Sequence, residues 1–203
     1  NTGGMGAYAP APVISPPLAE AAVREIVRPV LRGLAADGAP YRGCLYAGVM
    51  RTAPDRLAVI EFNCRFGDPE LQAILPLMES DLLELLCAAA VGEIGGVSPV
   101  WSPRKSVCVV LASDGYPGDY RTDFPIEGLA WARNKPDVYV FHAGTKRRPD
   151  GTLVTAGGRV LNVVAVGETW AAAVALAYEA VGHIHFENKY YRRDIARRMI
   201  DRN

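Results

Sequence analysis

Three polar side chains at alternating positions, Glu61, Asn63 and Arg65, form the part of this chain with the clearest potential for chemistry. They follow an apolar run at 57–60, which predicts a buried strand. Because side chains alternate along a strand, the carboxylate, the amide and the guanidinium share one face. Carboxylate and amide oxygens are ligands that Mg²⁺ accepts, and a neighbouring guanidinium can bind phosphate. The spacing is equally compatible with a metal-and-phosphate site and with the plainer alternative, a solvated sheet face.

The residues around these three predict how they are held. Phe62, Cys64 and Phe66 occupy the other face of the same segment, where they can pack into a core. Asp68 is a predicted N-cap and Pro69 a predicted first helical residue, so we expect a helix to begin there. The amide groups at the start of that helix would add an anion-binding surface beside the metal.

The remaining patterns predict an α+β fold. Apolar residues recur at helical spacing over 18–36, where Pro29 should kink or interrupt the helix. Thr169 is the predicted cap of an amphipathic helix in the second half of the chain. The predicted strands are 45–51, 57–63, 106–112, 138–142 and 159–166, and the predicted helices are 18–36, 69–77, 80–91 and 168–181.

A stretch rich in glycine, serine and proline at 92–103 marks a predicted domain boundary. Residues 1–95 are expected to form an antiparallel sheet backed by helices, and residues 104–203 a small β-rich domain with one helix packed on it. The chain begins at Asn1, inside a glycine-rich segment, which leads us to expect that an upstream part of the protein precedes it.

Composition restricts the classes of partner. The 203 residues carry 22 Lys and Arg against 22 Asp and Glu, so the formal net charge is zero. This balance argues against a nucleic-acid partner or an acidic membrane surface, and the sequence shows no signal peptide or membrane-spanning pattern. The four cysteines form no CxxC pair and lie in apolar stretches, which predicts buried thiols in a reducing cytoplasm.

Several motifs, in order along the whole chain, resemble those of one enzyme family. The ten residues from Glu61 to Glu70 (EFNCRFGDPE) are similar to its metal motif almost letter for letter. The sequence resembles the C-terminal half of the glycinamide ribonucleotide synthetases, which belong to the ATP-grasp superfamily. The other motifs that carry the resemblance are 1–8, 41–48, 112–117, 141–145, 157–161 and 183–194.

This resemblance implies a fold, a reaction and a set of partners. The fold would be the C-terminal part of an ATP-grasp domain followed by a small β-rich domain. The reaction would join glycine to 5-phosphoribosylamine with ATP, through glycyl phosphate, and yield glycinamide ribonucleotide, ADP and phosphate in purine biosynthesis. Mg²⁺ or Mn²⁺ would be the cofactor. The missing N-terminal half of the same enzyme would be a necessary partner, so we expect no ligase activity from this chain alone.

By the same resemblance, Glu61 and Asn63 are the metal ligands that hold the ATP phosphates. We assign Arg65 as the cation on the phosphate side and Asp68 as a substrate contact. Backbone amides of the glycine-rich segment are expected to hold substrate, and a phosphoribose contact is expected from a basic side chain of the second domain. The residues assigned to these two roles are Thr2, Gly3 and Gly4 for the segment, and Arg159, with Lys146 second, for the basic contact.

Two alternatives stay open at this point. Another ATP-grasp carboxylate–amine ligase would share the metal motif. A non-catalytic module could use the glycine-rich segment and the second domain to bind a phosphorylated sugar. The strand predicted at 45–51 contains no acidic residue, which leaves the number of metal ions open.

Overall fold

The structure, a computed structural model, describes residues 4–201. Their strands are β1 (Gly6–Ala9), β2 (Tyr46–Ala53), β3 (Arg56–Asn63), β4 (Lys105–Ser113), β5 (Val138–His142), β6 (Thr145–Arg147), β7 (Leu153–Thr155), β8 (Arg159–Gly167) and β9 (Lys189–Tyr190). Their α-helices are α1 (Pro16–Ala22), α2 (Arg28–Ala36), α3 (Glu70–Ile74), α4 (Leu82–Val91), α5 (Leu129–Arg133), α6 (Trp170–His183) and α7 (Arg197–Ile200).

The chain divides into two compact units, each of which is discontinuous in sequence. The sheet unit comprises the described residues of 1–10, 68–78 and 101–203, and the hairpin unit comprises residues 11–67 and 79–100. The predicted hairpin, the three strands of the second half and the helix after them are confirmed, with small shifts at their ends.

An antiparallel sheet in the order β1-β4-β8-β5 forms the centre of the sheet unit, and β9 pairs with one end of β4. The apolar runs of β4 and β8 are buried along almost their whole length because both faces of the sheet are covered. On one face Val107, Val109 and Leu111 pack with α6, and on the other Cys108 and Ala73 of α3 share a second cluster.

Helix α6 lies on the sheet through small residues. Ala173, Ala177 and Ala180 are fully buried, so the helix backbone approaches the strands closely. The predicted cap is confirmed, since the Thr169 hydroxyl accepts a hydrogen bond from the Ala172 amide at 3.2 Å. This bond satisfies one of the amide groups that the first turn of a helix leaves unpaired.

In the hairpin unit, helical backbone runs from α1 to α2 through a π-helical turn at Val23–Val27. The turn lies just before Pro29, which has no amide hydrogen and whose ring clashes with the carbonyl four residues earlier. A wider turn accommodates both defects, so the predicted interruption of this helix is confirmed. Within the described part of the chain, strands β2 and β3 pair only with each other and form a two-stranded antiparallel sheet.

The prediction that the apolar run 57–60 is buried was wrong. Every side chain of β3 is exposed or half-buried, and Ile60 is 62% exposed. Phe62, Cys64 and Phe66 are exposed as well, so they do not pack into a core of this unit. The physical reason is that, among residues 4–201, no third strand joins this hairpin.

The prediction of buried cysteines holds only for Cys108. Cys64 and Cys87 are exposed and Cys44 is half-buried. Their apolar neighbours in sequence lie on the exposed hairpin and on α4, which bury few side chains within this unit. Within the described part of the chain, no helix is both long enough and apolar enough to cross a membrane.

Candidate functional site

The hairpin places two of the predicted site residues side by side. Glu61 pairs with Gly48 and Asn63 pairs with Tyr46 across the two strands. The side-chain amide of Asn63 donates a hydrogen bond from Nδ2 to Glu61 Oε1 at 3.0 Å. Residues two apart on a strand therefore meet on one face, as their alternation predicts.

The chemistry of this pair suits a divalent cation that prefers oxygen ligands. The Glu61 carboxylate already lies beside the Asn63 side-chain amide. The orientation of that amide depends on its hydrogen-bond partners, so Asn63 can turn its Oδ1 towards a cation. Among residues 4–201, no group of three or more His, Cys, Asp or Glu side chains is arranged as a metal site. Glu61 and Asn63 would thus supply part of a coordination sphere, as is usual where substrate phosphates complete it.

Arg65 follows the pair at the end of the hairpin. Its Nη1 donates to the carbonyl oxygen of Phe66 at 2.8 Å, and its side chain is exposed. The local hydrogen bond fixes one edge of the guanidinium against its own backbone. An exposed guanidinium held in this way can engage an anion at lower entropic cost than a free one.

In the sheet unit, Arg159 connects two further predicted residues. Its Nη1 donates to Asp68 Oδ1 at 3.1 Å, to the Asp68 carbonyl oxygen at 2.8 Å and to the Gly4 carbonyl oxygen at 3.2 Å. Arg159 stands at the start of β8, so it holds the segment before β1 against the turn before α3. The Asp68 side chain remains partly exposed, at 42%.

The prediction that Asp68 caps a helix was wrong. Helix α3 begins at Glu70, Pro69 occupies the cap position, and no side chain caps the first turn. The Asp68 carboxylate accepts from Arg159 instead, and the charged partner outcompetes a backbone amide. Helix α3 has five residues, too short to supply the anion-binding surface that the sequence led us to expect.

The remaining predicted residues have mixed outcomes. Thr2 and Gly3 lie outside the described residues. Gly4 lies against Pro69, because a Cβ atom at Gly4 would come within 2.5 Å of the proline ring. Lys146 forms an ion pair with Asp123 at 3.3 Å. Each of these contacts joins segments far apart in sequence, and no local pattern signals them.

Cys108 lies beneath this cluster but is not a nucleophile. Burial raises the pKa of its thiol far above the ordinary value, and the negative charges of Asp68 and Glu70 raise it further. The thiol therefore stays protonated and serves packing with Ala73.

Comparison with known proteins decides the family. Residues 1–71 match the model of the ATP-grasp (A) domain of phosphoribosylglycinamide synthetase, and residues 106–198 match the model of its C domain. The chain belongs to the phosphoribosylglycinamide synthetase family. The family resemblance seen in the sequence motifs is thereby confirmed, as is the α+β fold with an ATP-grasp part.

Curated relatives in this family carry the name phosphoribosylamine–glycine ligase. A relative from Escherichia coli O6:H1 is 48% identical over 202 residues, which cover 100% of this chain and 47% of the relative. A relative from a Synechocystis strain is 46% identical over 201 residues, which cover 98% of this chain and 48% of the relative. The chain thus spans about half the length of the curated relatives it matches.

Solved structures agree. The phosphoribosylamine–glycine ligase of Thermotoga maritima superposes with a TM-score of 0.81 at 36% identity, over 96% of this chain and 46% of that chain. The biotin carboxylase domain of the Hydrogenobacter thermophilus 2-oxoglutarate carboxylase superposes with a TM-score of 0.63 at 18% identity, over 92% of this chain and 40% of that chain. At that identity the second likeness shows the fold alone.

Proposed function

We propose that this chain carries the metal-binding strand and the C-terminal domain of a cytoplasmic ligase of purine biosynthesis. The enzyme joins glycine to 5-phosphoribosylamine with ATP and Mg²⁺ or Mn²⁺, and releases glycinamide ribonucleotide, ADP and phosphate. Residues 1–95 belong to its ATP-grasp domain and residues 104–203 form its C-terminal domain. The matches of two differently described domain models to 1–71 and 106–198 support this division.

The observation that carries the proposal is the contact between Glu61 Oε1 and Asn63 Nδ2 at 3.0 Å. It joins a carboxylate and an amide on one strand face, in a chain that belongs to a family of ATP-dependent synthetases. Hard oxygen ligands in this arrangement are suited to a metal ion that also binds phosphate oxygens.

The reaction needs electrostatic stabilisation because the carboxylate of glycine is a poor electrophile until ATP phosphorylates it. A bound divalent ion neutralises charge on the transferring phosphoryl group. Glu61 and Asn63 would hold that ion, and Arg65 would be the cation that stabilises the phosphate. Positioning and charge neutralisation of this kind are the main contributions that a protein makes to phosphoryl transfer.

The sheet unit would bind the amine substrate. Asp68 is partly exposed and is held in place by Arg159, so it can contact the substrate from a fixed position. Arg159 would in addition contact the phosphoribose through its remaining N–H groups, with Lys146 as a second cation. The backbone amides of Thr2, Gly3 and Gly4 would complete the substrate contacts.

The activity requires more protein than this chain. The chain spans about half of its relatives, and the strand with the proposed metal ligands is exposed or half-buried at every position. A phosphoryl-transfer site works best when water is excluded, because charge interactions are then stronger. We therefore propose that the N-terminal half of the enzyme completes the site and that this chain alone is inactive.

An in-frame fusion tests the proposal directly. The part of the Escherichia coli relative that this chain does not match is fused to this chain, and ADP release is measured with and without glycine, 5-phosphoribosylamine and Mg²⁺. We expect turnover only when all three are present. Glu61→Gln in the fusion should lower kcat by about 100-fold or more, since a metal ligand contributes several kcal/mol to the transition state.

Glu20→Gln is the matched control, because Glu20 is an exposed glutamate on α1. It should leave turnover within about twofold, as expected of a surface change. A fusion that is equally active with alanine or bicarbonate in place of glycine would contradict the substrate assignment. Normal turnover by the 203-residue chain alone would contradict the requirement for the N-terminal half.

A further inference from the structure

Gly48 is the residue directly opposite Glu61 in the hairpin. A Cβ atom built at Gly48 would lie 3.2 Å from Glu61 Cγ, closer than nine in ten real contacts of a Cβ atom. The same Cβ atom would lie 3.6 Å from Cε1 of the Tyr46 ring. Any residue other than glycine at position 48 would therefore place its Cβ atom against the aliphatic part of the Glu61 side chain.

The backbone of Gly48 does not itself require glycine. Its φ lies outside the left-handed region in which other residues are strained, unlike that of Gly43, at +123°, or Gly92, at +84°. A strand interior ordinarily disfavours glycine, which packs no side chain and loses more entropy on folding. The close approach of the Glu61 side chain is thus the physical reason for a glycine at this position.

An irregularity in the strand pairing lies at the same place. The pairing passes from Gly48–Glu61 to Val49–Val59, so Ile60 is an extra residue in β3 without a partner in β2. A β-bulge of this kind increases the local twist and changes the direction of neighbouring side chains, and bulges are common beside active sites. The bulge therefore lies immediately next to Glu61, at the same level of the hairpin as the glycine.

We propose that Gly48 is a positioning residue for the metal pair, because its missing side chain leaves the space in which Glu61 reaches the side chain of Asn63. This inference rests on the proposed function, in which Glu61 and Asn63 hold the metal. With alanine at position 48, Glu61 Cγ must move by a few tenths of an ångström. That movement displaces the carboxylate from the amide with which it makes a 3.0 Å contact.

The test is a titration with Mn²⁺ of the fusion that supplies the N-terminal half, in which the electron paramagnetic resonance signal of free Mn²⁺ gives the dissociation constant. Gly48→Ala should weaken binding by about tenfold, the usual size of the effect when a residue that orients a metal ligand is changed. Gly33→Ala is the matched control, because a Cβ atom at Gly33 meets nothing within 4 Å. It should bind Mn²⁺ as the unchanged chain does.

A double-mutant cycle distinguishes positioning from a general loss of structure. In a Glu61→Gln background, Gly48→Ala should cause no further weakening, because the ligand through which it acts is already gone. Thermal unfolding by circular dichroism is recorded for each variant, and Gly48→Ala should retain the folded signal of the unchanged chain at the titration temperature.

The outcomes separate the inference from the proposed function. If Glu61→Gln weakens Mn²⁺ binding but Gly48→Ala behaves like Gly33→Ala, the positioning role of Gly48 is wrong and the metal site stands. Equal weakening by Gly48→Ala in the presence and absence of Glu61, or loss of its folded signal, also contradicts the positioning role. A fusion whose Mn²⁺ binding does not change in Glu61→Gln overturns the metal site and the inference together.

Discussion

Strands β4 and β3 have similar apolar runs but contrasting surroundings. In the sheet unit, every residue of β4 from Val107 to Ala112 is fully buried. In the hairpin unit, Val59 and Ile60 of β3 are 43% and 62% exposed. The difference lies in what covers them. β4 is the second strand of a sheet with helices on both faces, whereas β3 pairs, among residues 4–201, only with β2.

The proposed chemistry lies on the less buried of these strands. The sheet unit contains the fully buried side chains that stabilise a fold, and the hairpin unit contains Glu61 and Asn63. The fully buried side chains and the proposed metal ligands thus lie in different units. An apolar run in a sequence predicts a strand, but the degree of burial depends on what else packs against that strand.

The largest expected effect comes from a matched pair of isoleucines. Ile184 is fully buried in the sheet unit and Ile60 is 62% exposed in the hairpin unit. Ile184→Ala should lower the free energy of unfolding by about 2–5 kcal/mol, because it removes buried methyl groups and leaves a cavity. Ile60→Ala should lower it by less than about 0.5 kcal/mol. Urea unfolding followed by far-ultraviolet circular dichroism measures both.

An equal decrease in the free energy of unfolding in the two variants would contradict the difference in burial between the units. The tryptophans sharpen the test, because Trp101, Trp131 and Trp170 all belong to the sheet unit. Their fluorescence should follow the unfolding transition that Ile184→Ala shifts.

A smaller effect is expected from removing a helix cap in each unit. Thr169 caps α6 of the sheet unit, and Asp81 caps α4 of the hairpin unit by accepting from the Leu83 amide at 2.8 Å. Either change to alanine should cost about 1 kcal/mol. In amide hydrogen exchange, Thr169→Ala should lower protection throughout β4 and β8. Asp81→Ala should lower protection within α4 alone. A loss from Asp81→Ala that spreads to β8 would contradict this.

The smallest effect concerns ion pairs and depends on pH. In the sheet unit, two hydrogen bonds of 2.7 Å from Arg104 hold the pKa of Asp137 below its ordinary value of 3.8. Because the native pKa is lower than the unfolded one, the pair stabilises the protein above about pH 4, and the stabilisation disappears as the pH falls through the native value.

Asp137→Asn should therefore cost about 0.5–1 kcal/mol at pH 7, a value reduced because both side chains are partly exposed. Asparagine also tolerates the φ of +62° at this position, so the change tests the charge and not the backbone. Glu25→Gln, which removes the exposed partner of Arg24 in the hairpin unit, should cost nothing measurable. Thermal unfolding of both variants is measured between pH 2 and 7. If the stability difference between Asp137→Asn and the unchanged chain stays constant over this range, the ion pair is not the cause of the lowered pKa.

Local patterns in the sequence were sufficient for the elements of this fold. The alternation in β3, the cap at Thr169 and the interruption before Pro29 depend on a few neighbouring residues, and the structure has all of them. The position of Glu61 next to Asn63 also follows from alternation alone. These predictions succeed because the relevant interactions span only a few positions.

The errors arose where distant segments decide the outcome. Asp68 has the pattern of a helix cap, but its partner Arg159 lies 91 residues away. The contact of Gly4 with Pro69 and the close approach of Glu61 to Gly48 likewise depend on how segments pair in the folded chain. Whether β3 is buried depends on which other segments pack against it, and no local pattern in the sequence shows this.

Binding of Mn²⁺ to the Glu61–Asn63 pair is the most direct test of the proposed site. Mn²⁺ is added to the fusion of this chain with the N-terminal half, labelled with ¹⁵N, and paramagnetic broadening of each amide resonance is measured. We expect the amide resonances of Glu61, Asn63 and the facing Tyr46 to broaden at the lowest Mn²⁺ concentrations. In Glu61→Gln these resonances should no longer broaden before the others. Broadening that spreads evenly over exposed acidic residues, or that is unchanged in Glu61→Gln, would show that this strand does not hold the metal.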